Sequence, residues 1–531
     1  MTLFDLLEES ASSPARVVFP TLRRTATVGD LWDQAGRVSR WVRTRTPVDG
    51  TVATLLDTSP ECLAFFLGAL RSGRRVASLP LPPRSASAEQ YEELARSILE
   101  QIDASVVVVD QRFLGLVPVL EVPTTSFQAV VSAASPAFDD PVLGGEFVQF
   151  TSGSTANPKG VRLSIEQIGA NVESMLDRLE PAPGDGACSW LPLSHDMGLI
   201  GMTLASLCAG GPRYANGGEL VLISPEHFLR DPAVWLRMCA EHRSTITASP
   251  DFGLDLSMRR GASSALDLSR LRACIVGGEP IRPTTLHAFS TGLASSGFRP
   301  EALCPSYGLA EATLGVTMLP PAEHWRALHL DEAALAGHAV MPVSHGGTAV
   351  VSSGLPLSGV EVSVAGADMA VGSIRVEGDS VFEGYLGQPA SGGTIVTDDT
   401  GFLADGHLYV LGRADDVVVV RGRNLHAADL EGAVERVEAV RPGSSVVVAW
   451  PAGYAVVFES DESKRSTLGT CAESVRRALV DHCGVQPERV VIVERGAVPK
   501  TSSGKKRRQL VAHELMAGEL DGLHDRSYAT V

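Results

Sequence analysis

TSGSTANPKG, residues 151–160, is the stretch on which the reading of this chain turns. Small residues and hydroxyls followed by a lysine suit a backbone that wraps phosphate oxygens. Thr151, Ser152, Ser154 and Thr155 offer hydroxyl donors, Gly153 and Gly160 let the chain bend, and Lys159 brings positive charge. A second run, PKTSSGKKRR at 499–508, repeats the same ingredients. Neither fits the common G-x-x-x-x-G-K-[ST] nucleotide loop, and a serine-rich linker with a stray lysine has the same composition. Either loop alone leaves both readings open; the pair, with what lies between, is more specific.

Outward from the first loop the pattern is α/β. Glu146–Phe150 reads as a strand running into the loop and Ile165–Leu179 as a helix after it. Glu61–Leu70 has the apolar content of a buried helix. Ala104–Val109, Ser244–Ala248 and Arg272–Val276 read as buried strands, the last ending in a Gly-Gly turn. Strands separated by helices imply a largely parallel sheet covered on both faces. From about Val340 the texture changes to short strands with glycine turns, GTAVVSSG, GVEVSVAG, GSIRVEG and GHLYVLGR, as in a distorted β-barrel or small antiparallel sheet. Beyond it, VVVVRG at 417–422, Ser445–Ala449, Ala455–Phe458 and RVVIVE at 489–494 are strand-like, with RVVIVE the last strand. Leu430, Val434 and Val437 follow helical spacing, and Cys471, Val475, Leu479 and Cys483 form a four-residue stripe expected on a buried helix face. The expected fold is α/β: a large N-terminal domain, 1–413, of parallel α/β sheets plus a small distorted β-barrel, then a small α+β C-terminal domain, 414–531.

Bulk composition narrows the class. A chain of 531 residues exceeds a single core and predicts several domains. Its 44% hydrophobic and 20% charged content is that of a globular protein. With 45 basic against 62 acidic residues, the formal charge of −17 argues against general nucleic-acid binding. The eight cysteines are scattered with no C-x-x-C pair, which predicts buried thiols in a reducing cytoplasm and neither a zinc cluster nor a disulfide scaffold. Acids near the start, MTLFDLLEES, are unlike a secretion signal, and no apolar run is long enough to span a bilayer. A cytoplasmic protein is expected.

Four further stretches lie between the loops: SWLPLSHDMGLIG (189–201), CIVGGEP (274–280), PSYGLAEAT (305–313) and TDDTGFLADGHLYVLGRADD (397–416). In this order, with both lysine loops, they resemble the adenylate-forming superfamily of acyl-activating enzymes over essentially the whole chain. SHDMGL, YGLAEATLG, VRGRNLHAADLE and the segment EHWRALHLDEAALAGHAV (323–340) look most like its fatty-acyl-AMP ligase branch. The resemblance implies a carboxylate attacking the α-phosphate of ATP to give acyl-AMP and pyrophosphate, with Mg²⁺ as cofactor. Acyl transfer to the phosphopantetheine thiol of an acyl carrier protein follows, through rotation of a mobile C-terminal domain. The insertion-like segment 323–352 favours the carrier protein over CoA.

The same resemblance implies roles residue by residue. Thr151, Ser152, Gly153, Ser154, Thr155 and Lys159 grip the β- and γ-phosphates. Glu311, with Thr151, holds Mg²⁺. Tyr307, within Ser306–Tyr307–Gly308, stacks on adenine, and Gly277, Gly278 and Glu279 run along its other face. Asp399 accepts from the ribose hydroxyls, Arg413 reaches ribose and phosphate, and Asp415 is the hinge. Lys505 is the catalytic cation at the α-phosphate, and His195 lies beside the acyl carboxylate.

Blander readings stand beside these: a core aromatic for Tyr307, a solvated acid for Glu311, a turn residue for Asp399. Arg413 could pair with Asp415 or Asp416 on a surface, Asp415 could be an ordinary linker acid, and His195 a satisfied core histidine. Lys505–Arg508 could be a solvated basic patch, able to steer an acidic carrier protein. Ala156, Ser194, Gly315, Asp398 and Leu425–His426 depart from the family pattern, which leaves the shape of the acyl pocket and acceptor site open. Ser194, Gly211, Phe252, Gly253 and Gly315 are the candidate pocket borders. An acyl-CoA synthetase, an amino-acid-activating domain and a non-catalytic acyl- or nucleotide-binding homologue are the alternatives.

Overall fold

Strands with apolar residues on both faces need cover on both sides, and two such sheets share helices here. The computed structural model describes residues 1–81, 88–115, 122–133, 144–151, 158–214, 218–259, 266–366, 369–420, 423–451, 453–460, 465–500, 506–520 and 522–528. In the seven-stranded sheet, Glu146–Thr151, Arg75–Ser78, Thr51–Thr54, Ala104–Val109 and Thr124–Ser126 run parallel in that order. The nine-stranded sheet has a parallel centre of Leu303–Gly308, Ala273–Val276, Ile246–Ser249, Ala187–Ser189, Glu219–Leu222 and Arg16–Phe19.

The helix Ile165–Leu179 shows why the chain folds this way locally. Ser164 and Gln167 form a reciprocal capping box, Gln167 N–H donating to Ser164 Oγ and Ser164 N–H to Gln167 Oε1. Ile168, Val172, Met175, Leu176 and Leu179 then fall on one buried face. Pro60–Arg71 begins with Ser59 as cap and Pro60 in the first turn, where a missing N–H costs nothing. One buried apolar cluster extends from Leu3 to Leu408 across both sheets.

Val360–Val364, Gly372–Gly378, Thr394–Ala404 and His407–Arg413 form a curled antiparallel half-barrel. Within 323–352, Ala327–Leu330 pairs with Thr348–Val351, and Asp331 caps the short helix Glu332–Ala336. Leu330, Leu335, Val340 and Val350 pack on Phe402 and Tyr409 of the half-barrel.

A separate buried cluster begins at Val418. It sits between the mixed sheet of Val440–Trp450, Gly453–Ser460, Arg489–Val493 and Gly522–Ser527 and the helices Ala427–Val434 and Arg465–Cys483. Cys471, Val475, Leu479 and Cys483 are all buried, as their spacing predicts. Three details differ from expectation. A strand, Lys159–Ser164, separates the first loop from its helix and pairs antiparallel with Glu146–Thr151, so Thr151 faces Lys159 across a hairpin. The helix carrying Leu430 and Val434 ends before Val437, where Val437 and Val440 close a turn. RVVIVE is not the last strand: the helix Arg508–Ala517 and the strand Gly522–Ser527 follow it.

Within the basic tetrad, Lys506 and Arg508 are paired with carboxylates and do not form a solvated patch. Lys506 Nζ lies 2.8 Å from both Glu431 and Glu435. Arg508 donates to both oxygens of Glu431, at 2.8 and 2.9 Å, and to Asp416 at 2.7 Å. Burial alone would raise the Glu431 carboxyl, but Lys506 and Arg508 more than offset it and hold it below its ordinary range. Replacing Glu431 with Gln leaves two buried cations underpaired, at a cost of about 3 kcal/mol or more. Calorimetry of Glu431→Gln is expected to show an earlier transition for the C-terminal portion, with the transition of the larger portion unmoved.

Candidate active site

At the C-terminal ends of the parallel strands, where open α/β sheets bind ligands, lies a cavity of about 2110 Å³. Its lining joins residues distant in sequence: Lys159, His195, Gly277 to Glu279, Ser306 to Gly308, Glu311, Asp399 and Arg413 from the large portion, and Lys506 to Arg508 from the small one. Ser152, Gly153, Ser154, Thr155 and Lys505 lie outside the described residues, and Thr151 is described through its backbone. Lys500 and Lys506 face each other in an antiparallel bridge, so the segment holding Lys505 joins two fixed points.

Two polar pairs order the cavity. The Tyr307 hydroxyl donates to Asp399 Oδ2 at 2.7 Å, with the ring largely buried. Burial first, and then the Asp399 charge, push the phenol well above its usual range, so it remains a donor. The Tyr385 hydroxyl donates to Glu311 Oε1, also at 2.7 Å, and Lys159 Nζ stands 5.1 Å from the Tyr385 ring centroid. Tyr385 was missed by sequence reasoning: it stands in VFEGYLG, outside every motif, and enters the site by pairing of Gly384–Tyr385 with Lys159–Ser164. Burial and then Glu311 raise its phenol too.

Arg413 sits opposite Asp399 in hairpin register, but its guanidinium donates to Asp398 at 2.7 Å and not to Asp415 or Asp416. Its Nε is enclosed without a hydrogen-bond partner among the described residues. Asp398 is therefore a counter-ion to Arg413. Asp415 lies in the single turn Ala414–Asp416 and accepts from Gln509 at 3.4 Å.

The Gly277–Gly278 turn is a close approach. A Cβ on Gly277 would meet Ser306 Oγ at 2.7 Å, and Gly278 has φ +81°, the left-handed region. Glu279 gives its side chain to structure, accepting the Phe252 N–H at 2.6 Å, so its backbone is what faces the cavity. His195 Nδ1 lies 2.6 Å from Asp196 Oδ1, which fixes the ring at the cavity edge. Ser194, Phe252 and Gly315 border the cavity; Gly211 instead faces Glu9, and Gly253 faces Trp190.

On the far side, Asp429 of the Ala427–Val434 helix lines the cavity near Glu332 of the 323–352 segment. Its side chain keeps contact with solvent, while the protein packed around it, then Glu332, raise its carboxyl from 3.8 to about 6. Among the described residues no group of three His, Cys, Asp or Glu side chains could hold a metal. A metal at Glu311 would take one protein carboxylate and fill its shell with phosphate oxygens and water, the ordinary habit of Mg²⁺.

A cavity at parallel strand ends that joins polar groups to an apolar recess has room for a nucleotide and an acid together. Residues 7–386 match the model of the AMP-binding enzyme family. The long-chain-fatty-acid–AMP ligase FadD32 of Mycolicibacterium smegmatis is 29% identical over 92% of this chain and 89% of its own. FadD28 of Mycobacterium tuberculosis, also a long-chain-fatty-acid–AMP ligase, is 29% identical over 84% of each chain. A solved structure from work on fatty acyl-adenylate ligases of E. coli and L. pneumophila superposes with a TM-score of 0.89 at 25% identity, covering 98% of both chains. The chain belongs to the AMP-binding enzyme family and is an adenylate-forming ligase.

Asp429 supplies a pH test. Its folded value lies above the unfolded one, so the folded protein binds this proton more tightly. The contribution is favourable at low pH and is lost as pH rises from about 4 through about 6. Asp429→Asn is expected to be more stable than the parent at pH 8, with the difference vanishing near pH 4. Urea midpoints at the two pH values measure this.

Proposed function

We propose that this protein activates a carboxylic acid, fatty or related, with ATP, and then passes the acyl group to the phosphopantetheine thiol of an acyl carrier protein. The observation carrying this reading is the convergence, on one cavity, of Lys159, Tyr307, Glu311, Asp399 and Arg413 with Lys500, Lys506 and Arg508 of the C-terminal portion. A carboxylate oxygen attacks the α-phosphorus, forming the mixed anhydride. The bond from the α-phosphorus to the bridging oxygen breaks, and pyrophosphate leaves with its electron pair. Two anions must approach, so the barrier is chiefly electrostatic and positional.

In this scheme Tyr307 stacks on adenine while its hydroxyl keeps Asp399 oriented to accept from the ribose hydroxyls. Lys159 and the hydroxyls of Thr151 to Thr155 hold the β- and γ-phosphates, and Arg413 reaches the ribose and phosphate side. Glu311, steadied by Tyr385, and Thr151 would hold Mg²⁺, which when bound neutralises phosphate charge. Lys505 meets the charge that develops as the carboxylate attacks, and His195 borders the acyl carboxylate. We assign 1–413 and 414–531 as two domains meeting at Asp415, whose buried apolar clusters end and begin on either side of that turn. Rotation there withdraws Lys505 and opens the carbonyl to a thiolate, which displaces AMP.

The 323–352 segment favours a carrier protein as acceptor: it packs on Phe402 and Tyr409, and its helix Glu332–Ala336 lies beside the strand Arg423–His426 of the C-terminal portion, where it would resist wide rotation. No helix among the described residues is long and apolar enough to cross a membrane.

Incubation with ATP, Mg²⁺ and a panel of carboxylic acids is expected to release pyrophosphate. Intact-mass analysis should then show acyl transfer to holo-carrier protein and little to CoA; rapid CoA thioester formation would reverse the acceptor assignment. Lys505→Ala is expected to slow adenylation by roughly 10²–10³-fold, the effect of losing one transition-state donor. Its unfolding temperature should stay unchanged, and undiminished ATP–pyrophosphate exchange would remove Lys505 from the mechanism.

A further inference from the structure

Two apolar hollows lie on one face of the nine-stranded sheet. The first belongs to the active-site cavity, where Ala248 and Ile275 form part of the lining. The second, of about 40 Å³, is lined by Ala187, Leu220 and Ile246. Strand register sets them in successive rows: Ala248 stands opposite Ile275, and one pleat further down Ile246 stands opposite Ala273 and beside Ala187. The opposite face is already taken, since Trp235 donates to Thr247 Oγ1 at 2.8 Å.

Leu179, Gly201, Met202 and Ile275 border both hollows, so these four residues form the partition between them. Gly201 and Met202 belong to Met197–Leu204, wound as a π-helix, a rare form that concentrates at functional sites. A Cβ on Gly201 would stand 2.7 Å from Leu314 Cδ2, so glycine keeps the neck from narrowing. Met202 is buried, and its unbranched thioether chain changes rotamer to fit what lies beside it.

We propose that the hollows are consecutive parts of one acyl channel, with Met202 as the movable partition, and that the preferred acid is unbranched and aliphatic with about ten carbons. This rests on the acid-activation reading above. From Gly277 at the nucleotide end to Ala273, level with the lower hollow, is four residues of strand, or ~13 Å, a span filled by about ten carbons of extended hydrocarbon. The four shared wall residues carry no charge that could meet an α-ammonium group. At the far end the lower hollow meets Arg16 and Glu219, which are ion-paired, with His242 Nδ1 2.8 Å from Glu219. A terminal methyl group stops before that charged cluster, because displacing it would uncover paired charge.

The test is kcat/KM for pyrophosphate release with unbranched acids of four to sixteen carbons, in the parent, Met202→Ala and Ala205→Leu. Ala205 lines the lower hollow. The parent is expected to peak near ten carbons and to fall by about tenfold or more toward either end. Met202→Ala should raise the ten-to-four-carbon ratio, and Ala205→Leu should lower it by about tenfold, with four-carbon turnover retained as proof of folding. Equal kcat/KM for four and ten carbons, or a ratio unmoved in both variants, overturns the channel and leaves acid activation standing. Absence of pyrophosphate release with every acid overturns both.

Discussion

Two carboxylates on one short helix hold the end of the chain in place. Glu431 and Glu435 receive Lys506, and Glu431 also takes the planar fork of Arg508, whose remaining arm reaches Asp416. A guanidinium matched to carboxylate oxygens is geometrically demanding as well as charged, so this tray fixes the direction of the segment leading out of residue 505. Arg282 extends the network to the large portion: it is bonded to buried Asp251 and stands 3.9 Å from Glu435. Lys505, the proposed catalytic cation, directly precedes that seat in sequence.

Across the cavity the same economy recurs in smaller form. Three of the groups proposed to touch nucleotide are steadied by phenol side chains: Asp399 by the hydroxyl of Tyr307, Glu311 by that of Tyr385, and Lys159 by the Tyr385 ring. Both phenols are pushed upward by burial and adjacent carboxylate, so they stay protonated and act as fixed donors. Preorganised dipoles of this kind are what electrostatic catalysis requires.

Much of this was legible in the sequence. Hydrophobic period located Ile165–Leu179 and Ala104–Val109 to the residue, because burial on one or both faces leaves a strong local pattern. Lys159–Ser164 escaped notice, since KGVRLS mixes charge with apolar residues and its pairing partner is set by the hairpin and not by its own composition. Gly522–Ser527 is equally opaque: GLHDRS carries no strand pattern and is held as an edge by Arg489–Val493. Among site residues the motif-borne ones were visible. Tyr385 was not, because a two-residue strand has no periodicity and its role exists only through Glu311 and Lys159. The basic tetrad misled for a related reason: its carboxylate partners stand about 75 residues away in sequence, at Glu431 and Glu435.

The pairing of Arg413 with Asp398 has a consequence for which anions the protein can tell apart. A guanidinium that already has a resident carboxylate is a poor trap for chloride or a lone inorganic ion, each of which merely replaces one contact with another. A ligand arriving with several oxygens and its own sugar anchor gains more than it displaces. If Arg413 meets the nucleotide as proposed, Asp398 thus works as a filter, trading affinity for discrimination.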